Sequence, residues 1–466
     1  MKNVNPIHQD IFKRIGRIAD DNGVEAYIIG GYVRDYFLNR ECKDIDIVVV
    51  GSGIEIAEIL AQELKTNLSV FKSFGTAMLR THDIEIEFVG ARKESYRIDS
   101  RKPIVEDGTF SDDISRRDFT INTLAFGLNA HNFGELIDTY NGIEDLHNKI
   151  LKTPLDPDTT FSDDPLRMIR AIRFATQLNF TIVDETFEAI KRNAHRIEIV
   201  SKERIITELD KIMMSKKPSL GFYLFDQSGL LELILKDVHR LKGVEKVGNR
   251  AHKDNFIHTL KVLDNVAEKS NNIWLRYAAL FHDIAKPRTK AWDEKVGWTF
   301  HGHETLGSKM VNTIFRHLKM PLNDKMKYVQ KLVFLHLRPI ILAEDIVTDS
   351  AVRRLLFEAG DDVEDLMTLC EADITSGNDY KVKKYLRNFE IVRQKMKEIE
   401  EKDRIRNFQP PITGEDIMKR YNIKPSNVIG DIKIRIKDAI LDGKIENDYN
   451  QAYAMMEEIA KEYGLE

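Results

Sequence analysis

Residues 26–51 read AYIIGGYVRDYFLNRECKDIDIVVVG. Two apolar runs with strand character, Ala26–Ile29 and Ile45–Val50, flank a Gly-Gly, an Arg-Asp and then Asp44 and Asp46 with one isoleucine between them. Alternation along a strand puts Asp44 and Asp46 on one face and Ile45, Ile47 and Val49 on the other. Two carboxylates a few ångströms apart repel unless one is protonated or a cation bridges them. An oxygen-only pair suits Mg²⁺, which takes one or two carboxylates together with phosphate oxygens. The plain alternative is a strand end with a solvated polar face. The neighbours favour the first reading. Gly30 and Gly31 let backbone N–H groups approach a phosphate closely, and Arg34 sits in the first turn of a short helix, placed to grip one. A further strand, IEIEFVGAR from Ile84, carries Glu85 and Glu87 on one face, either of which would supply a third acid.

Working outward, residues 7–22 have helical periodicity ending at Asn22-Gly23, and Ala77–Arg80 and Ile84–Val89 read as strands beyond a helical Ile54–Lys65. A small α/β or α+β head ending near residue 150 is expected. After Leu151 the strand signals fade and long amphipathic patterns take over, punctuated by Pro and Gly. The predicted fold class is α+β: a small mixed-sheet head followed by an elongated all-α neck, body and tail. The expected domains are 1–150, 151–235, 236–380 and 381–466.

A chain of 466 residues exceeds one compact core, and 42% hydrophobic with 31% charged residues is ordinary globular composition. The N-terminal MKNVNPIHQDIF has no apolar signal core and no stretch is long enough to span a bilayer, so a cytoplasmic protein is expected. Only Cys42 and Cys370 are present, in no metal-ligand spacing, which argues against disulfides and thiolate zinc sites. The net charge of −5 does not advertise nucleic-acid binding, yet a basic groove is compatible with an acidic protein.

Two further stretches carry chemistry. SRRDFTINTLAF (115–126) places Arg117, Asp118 and Asn122 together, with Asp118 also suited to cap a helix starting near Phe119. In DDPLRMIRAIRFA, Asp164, Arg167, Arg170 and Arg173 recur every third residue and so drift slowly around one side of a helix, an acceptor and donors for a base edge. GGYVRD…DID, these two stretches, DTYNGIEDLHNKIL and KERIITEL together resemble the class II tRNA nucleotidyltransferases and bacterial poly(A) polymerases of the polymerase-beta-like superfamily. The resemblance runs in order over residues 24–215. It implies two-metal phosphoryl transfer, with Asp44 and Asp46 holding Mg²⁺ and Gly30, Gly31 and Arg34 near the triphosphate. It implies Arg117 as a phosphate or ribose contact, Asp118 and Asn122 shaping the sugar pocket, and Asp164 and Arg167, with Arg170 and Arg173 beyond them, as a protein template for CTP and ATP. The family usually has Glu where Asp163 stands, one methylene longer. The implied activity is CCA addition to tRNA, with a poly(A) polymerase or an A-only or CC-only enzyme as alternatives. VGSGIEIAEILAQEL lacks the basic signature of the poly(A) enzymes.

Histidines gather from residue 252: His252, His258, His282, His301, His303 and His336. FHDIAKP, with His258 upstream and Asp373 downstream, resembles the HD superfamily of metal-dependent phosphohydrolases. The implied ligands to a divalent metal are His258, His282, Asp283 and Asp373, with His303 and His336 for a second ion or a substrate phosphate. A phosphohydrolase with a head retained for nucleotide or RNA binding is the alternative of another class. Finally, residues 381–406 hold ten Lys/Arg against five Asp/Glu, with Tyr385 and Phe389 interleaved, and suit an RNA backbone or a solvated helix face.

Overall fold

A computed structural model describes residues 9–81, 84–97, 100–247, 250–344, 348–375, 379–403 and 408–465. The chain divides into two compact units, Met1–Lys236 and Asp237–Glu466.

The first unit opens with α1 (Gln9–Asp21), which ends where Gly23 turns at φ +66°, and β1 (Ala26–Ile29), buried at every residue. Next come α2 (Gly31–Phe37), β2 (Asp44–Val49), α3 (Gly53–Leu64), β3 (Leu68–Phe71), β4 (Thr76–Thr81) and β5 (Ile84–Gly90). The predicted strands and the helix over 54–65 fall within a residue of these elements. A hairpin of β6 (Arg92–Arg97) and β7 (Ser100–Asp107) precedes α4 (Phe110–Ser115), β8 (Ala125–Gly127), β9 (Leu136–Ile137) and α5 (Gly142–Asn148).

The seven-stranded sheet runs β3-β4-β5-β2-β1-β8-β9. Within it β2 and β5 pair in parallel, and their register sets Asp44 beside Glu85 and Asp46 beside Glu87. The opposite face of these strands supplies Ile45, Ile47, Ile86 and Phe88, all at most 1% exposed. Burial of each such side chain contributes about 1.5–3 kcal/mol. That apolar face fixes the register, and with it the acidic face, because a one-residue slip would invert both.

Beyond α5 the unit is mainly helical, apart from a short parallel pairing of Ile150–Leu151 with Thr181–Ile182, and includes α6 (Pro157–Asp163), α7 (Leu166–Leu178), α8 (Asp184–Asn193) and α9 (Lys202–Met213). Asp164 is not on the arginine-bearing helix. It is extended, at φ −131° and ψ 97°, because Pro165 disfavours a helical predecessor, and α7 starts after the proline.

The second unit is helical apart from two short hairpins, one formed by Ala291–Asp293 and Gly297–Thr299. Residues 379–403 form one helix, in which Phe389 is fully buried and Arg393 is ion-paired with Glu364 and Glu371. Phe389 is therefore a core residue and not an aromatic presented to RNA. Arg404 and Arg406 of the basic run lie outside the described residues. No helix among the described residues is long and apolar enough to cross a membrane.

Candidate functional sites

Asp46 is mostly buried at the end of the β1–β2 pair, opposite Ile29. Burial pushes its carboxyl up, Asp44 and Asp113 add to this, and Arg117 and Arg170 oppose it. Glu87 is raised by burial and by Asp46, whereas Glu85 turns to Arg80 at 2.5 Å. The third acid beside the aspartate pair is therefore Glu87. Three carboxylates on one face, two of them disfavoured in the charged form, are a donor set that a divalent cation relieves.

Gly30 caps α2 at φ +80° and ψ −129°, where other residues are strained. A Cβ there would lie 3.0 Å from Arg117 Nη1 and 3.5 Å from Asp46 Oδ2. Arg117 is thus brought against the acidic face. It is held from behind by Asp113, fully buried, which also accepts from Arg116 at 2.5 Å. Arg34, by contrast, is buried: its Nε and Nη2 donate to Asp35 and its Nη1 donates to Asn122 Oδ1 at 2.9 Å. Asn122 in turn donates to Asp118 Oδ1 at 2.9 Å. Asp118 accepts the Phe119 N–H, but the helix expected there is a single 3₁₀ turn, Thr120–Asn122. Burial alone would raise the Asp118 carboxyl, yet Arg170 and Asn122 outweigh it and hold it at about 2.

A cleft of about 390 Å³ is lined by Arg116, Arg117, Asp118, Asp164, Arg167, Arg170, Arg204 and Glu208 among others. Asp164 Oδ1 accepts the Leu166 N–H at 3.2 Å, and Oδ2 faces Arg204 at 3.3 Å. Arg167 is buried and donates to the carbonyls of Arg116 (2.6 Å) and Thr160 (3.4 Å). Arg173 is set apart from the cleft: it pairs with Glu208 at 2.6 Å and packs on the Phe174 ring at 4.0 Å, with burial pulling its guanidinium down to about 10. Residue-by-residue reading of the sequence missed Asp113, Arg116, Arg204 and Glu208. Within KERIITEL, Arg204 and Glu208 are four apart on one helical face, which is the signal that points to them.

In the second unit six side chains converge, most from helix ends. His258 is on the helix Asn255–Lys269, His282 and Asp283 come directly after Ile273–Phe281, and His303 begins His303–His317. His336 comes directly after Asp324–Leu335, and Asp373 ends Val363–Asp373. His258 Nε2 is 2.8 Å from Asp373 Oδ1, and His282 Nε2 is 3.2 Å from Asp283 Oδ2. His303 and His336 Nε2 lie 3.3 and 3.8 Å from the other oxygen, Asp283 Oδ1. Two three-ligand groups therefore share Asp283: His258 with His282, and His303 with His336.

Three imidazoles use one device. Nδ1 of His282, His303 and His336 donates to the carbonyl three residues earlier, at 2.7–2.8 Å. A carbonyl can only accept, so Nδ1 carries a proton in all three and Nε2 is left facing the cluster as the position for a metal, the arrangement seen at metal-ligating histidines. His282 Nε2 is buried without a hydrogen-bond donor to it. Burial would lower His282, but Asp283 and Asp373 raise it to about 10, while His336 is lowered to about 4 by burial and by His282. The donor set fits a divalent cation, as the sequence predicted, and His303 and His336 extend it.

Comparison with known proteins fits this geometry. Residues 26–152 match the poly A polymerase head domain, 179–242 the probable RNA- and SrmB-binding site of polymerase A, and 255–377 the HD domain. An A-adding tRNA nucleotidyltransferase of Aquifex aeolicus is 32% identical over 59% of this chain and 33% of its own length. A CC-adding tRNA nucleotidyltransferase of Halalkalibacterium halodurans is 31% identical over 59% of this chain and 69% of its own. A CCA-adding enzyme of Limosilactobacillus reuteri is 38% identical over 46% of this chain and 51% of its own. The matched stretch thus spans from a third to about two thirds of these relatives. A solved CCA-adding enzyme in complex with ATP shares the fold, with a TM-score of 0.64, 22% identity, and coverage of 99% of this chain and 96% of that one. The chain belongs to the class II tRNA nucleotidyltransferase and poly(A) polymerase family, with an HD domain in its second unit.

Proposed function

We propose that the chain is a cytoplasmic enzyme that completes the 3′ end of tRNA with C, C and A from CTP and ATP, releasing pyrophosphate. The observation that carries this reading is the joining of two features by Arg117: its guanidinium lies beside Gly30, near enough to Asp46 to oppose the rise of that carboxyl, and it lines the cleft that holds Asp164.

Asp44, Asp46 and Glu87 would hold Mg²⁺, and the chemistry such ions supply when bound is activation of the primer 3′-hydroxyl and neutralisation of the leaving pyrophosphate. Arg117, with Asp113 behind it, sets a cation beside the reacting phosphate. Arg34 acts through Asn122 and Asp118, which shape the sugar pocket. Cytosine and adenine both present an amino donor next to a ring-nitrogen acceptor, whereas uracil and guanine present a carbonyl next to an N–H. The Asp164 carboxylate beside the donors of Arg167 and Arg204 complements the first pair and opposes the second. Arg170 secures Asp118, and Arg173 supports α7 through Glu208.

The test is incubation with tRNA transcripts ending before CCA, before CA and before A, with CTP and ATP separately and together. Addition of all three residues and then a stop supports the reading. Unlimited A-tailing, or addition of only A or only CC, overturns it. A second activity, phosphoester hydrolysis in the HD domain, is favoured by the convergence of four Nε2 atoms on Asp283 and Asp373.

A further inference from the structure

The acidic face of the head sheet continues past its carboxylates, on the side away from Arg117. From Asp46 and Glu87 the register runs on to Met78 of β4 and Ser69 of β3, and from Asp44 and Glu85 it runs on to Arg80. Directly paired residues share a face, so Met78, Arg80 and Ser69, with Phe71 two residues along β3, stand on the side of the carboxylates. A strand spacing of roughly 4.8 Å puts Ser69 three strands, about 14 Å, from Asp46. Met78 is half-buried, and Ser69, Phe71 and Arg80 are exposed. The Phe71 ring is 45% exposed, while the core takes Ala77 and Leu79 of β4 from the other face. Arg80 Nε pairs with Glu85 at 2.5 Å, yet its side chain stays 73% exposed, so the guanidinium rests beside the acids with its outer edge in solvent.

Metal-assisted phosphoryl transfer sets the attacking and leaving oxygens roughly in line through the reacting phosphorus. On the proposed reading Arg117 and Gly30 meet the phosphates, and they lie at the end of β1, where Ile29 pairs with Asp46 and Gly30 follows it. The pyrophosphate then leaves toward β1, and the attacking hydroxyl arrives from the opposite direction, over β5, β4 and β3. An RNA end that meets a protein ring there is single-stranded, because a base reaches such a ring only outside a duplex. A ring and a guanidinium side by side are the two parts that grip a single strand, one by stacking and one at the backbone phosphate.

We propose that β3 and β4 carry the primer-strand subsite of the transfer centre. Phe71 stacks on an unpaired base a short way back from the 3′ end, Arg80 contacts a backbone phosphate between that base and the acids, and Met78 lies under the terminal nucleoside. The inference rests on the proposed nucleotide-adding reading of the acidic face and assigns the direction from which the acceptor RNA enters it.

Phe71 and Arg80 lie mostly outside the core, so their replacement leaves the fold intact. Addition of A to the tRNA transcript ending before A is measured while transcript and ATP are varied separately. Phe71→Ala is expected to raise KM for the transcript about tenfold with KM for ATP unchanged, and Phe71→Tyr to keep the wild-type value. Arg80→Ala is expected to reduce the slope of log KM for the transcript against log salt by about 0.7, the share of one single-strand phosphate contact, and Arg80→Lys to retain it. A second measurement needs no turnover. A transcript ending before CA, with 2-aminopurine at its penultimate, unpaired position, is bound by the full chain without nucleotide. Its fluorescence is quenched by the wild type and by Phe71→Tyr, and the quenching is lost in Phe71→Ala. An unchanged transcript KM in Phe71→Ala, an equal rise in KM for transcript and ATP, or an unchanged salt slope in Arg80→Ala overturns the subsite. Phe71-dependent quenching in a chain that adds A without limit supports the subsite and overturns CCA addition.

Discussion

Asp118 and Arg170 join two segments 52 residues apart: Asp118 Oδ2 accepts from Nε at 2.7 Å and from Nη2 at 2.6 Å. Removing one partner of a buried ion pair costs about 3–5 kcal/mol, and the partial exposure of Arg170 puts Asp118→Ala near the low end. Chemical denaturation of the variant should show that loss. The pH dependence is set by the lowered Asp118 carboxyl. Its ionised form contributes stability that is complete above the ordinary value of 3.8 and is lost as pH falls through about 2. The stability gap between wild type and Asp118→Asn should therefore narrow between pH ~4 and ~2.

The acidic face of β2 and β5 should be indispensable to chemistry and dispensable to folding. Asp44→Ala/Asp46→Ala is expected to reduce nucleotide addition by at least about a thousandfold while the melting temperature holds or rises, since like charges are removed. Glu87→Gln should lower addition and Glu85→Gln should not, because Glu85 is engaged by Arg80. Full activity in the double variant would remove these residues from the reaction.

Gly30→Ala tests the junction between the acidic face and the cleft. The backbone at φ +80° costs an alanine about 1–3 kcal/mol, and the new methyl group presses on Arg117 Nη1. Addition kinetics should fall by more than a stability loss of that size explains, because Arg117 moves away from Asp46.

Base choice should relax when the Asp164 surroundings change. Asp164→Ala and Arg167→Ala are expected to admit UTP or GTP at least about tenfold more readily relative to CTP and ATP, with the residual rate on CTP still metal-dependent. Arg204→Ala, which removes its ion pair with Asp164 Oδ2, should shift the same ratio to a smaller extent. Unchanged nucleotide choice in Asp164→Ala would remove the template role.

The histidine cluster should bind a divalent cation with a thermal signature. A metal at 100 times its Kd stabilises the second unit by about 2.7 kcal/mol, read as an upward shift of its melting transition and reversed by EDTA. His282→Ala should abolish the shift.

How much of the molecule was legible in the sequence differs by element. The strands around Asp44 and Asp46 were readable because one face is apolar at every second position, and the core takes up that face unchanged. The β6–β7 hairpin, from Arg92 to Asp107, was not. Its residues are largely charged, and its pairing is visible only once the strands are side by side. Asp164 was misplaced by counting threes through Pro165, where backbone sterics override periodicity. The convergence of the histidines with Asp283 and Asp373 was anticipated from their order along the chain, which resembles the HD superfamily. The hairpin of Ala291–Asp293 and Gly297–Thr299 was not, because a three-residue strand carries too little pattern to register. Motif spacing put Arg34 where it is found but did not show its partners: three of its five N–H donors go to Asp35 and Asn122.

Those donors begin an unbroken relay from Asp35 through Arg34, Asn122 and Asp118 to Arg170, whose helix also bears Arg167. On the proposed reading, the end of the pocket that would meet the base and the end that would meet the phosphates are thereby parts of one mechanical object. A mismatched base that pushed α7 aside would then drag the phosphate end out of line and be penalised in turnover as well as in occupancy. Fidelity in such a pocket is a property of rigidity, and softening any one link, even one that touches no nucleotide, should lower it.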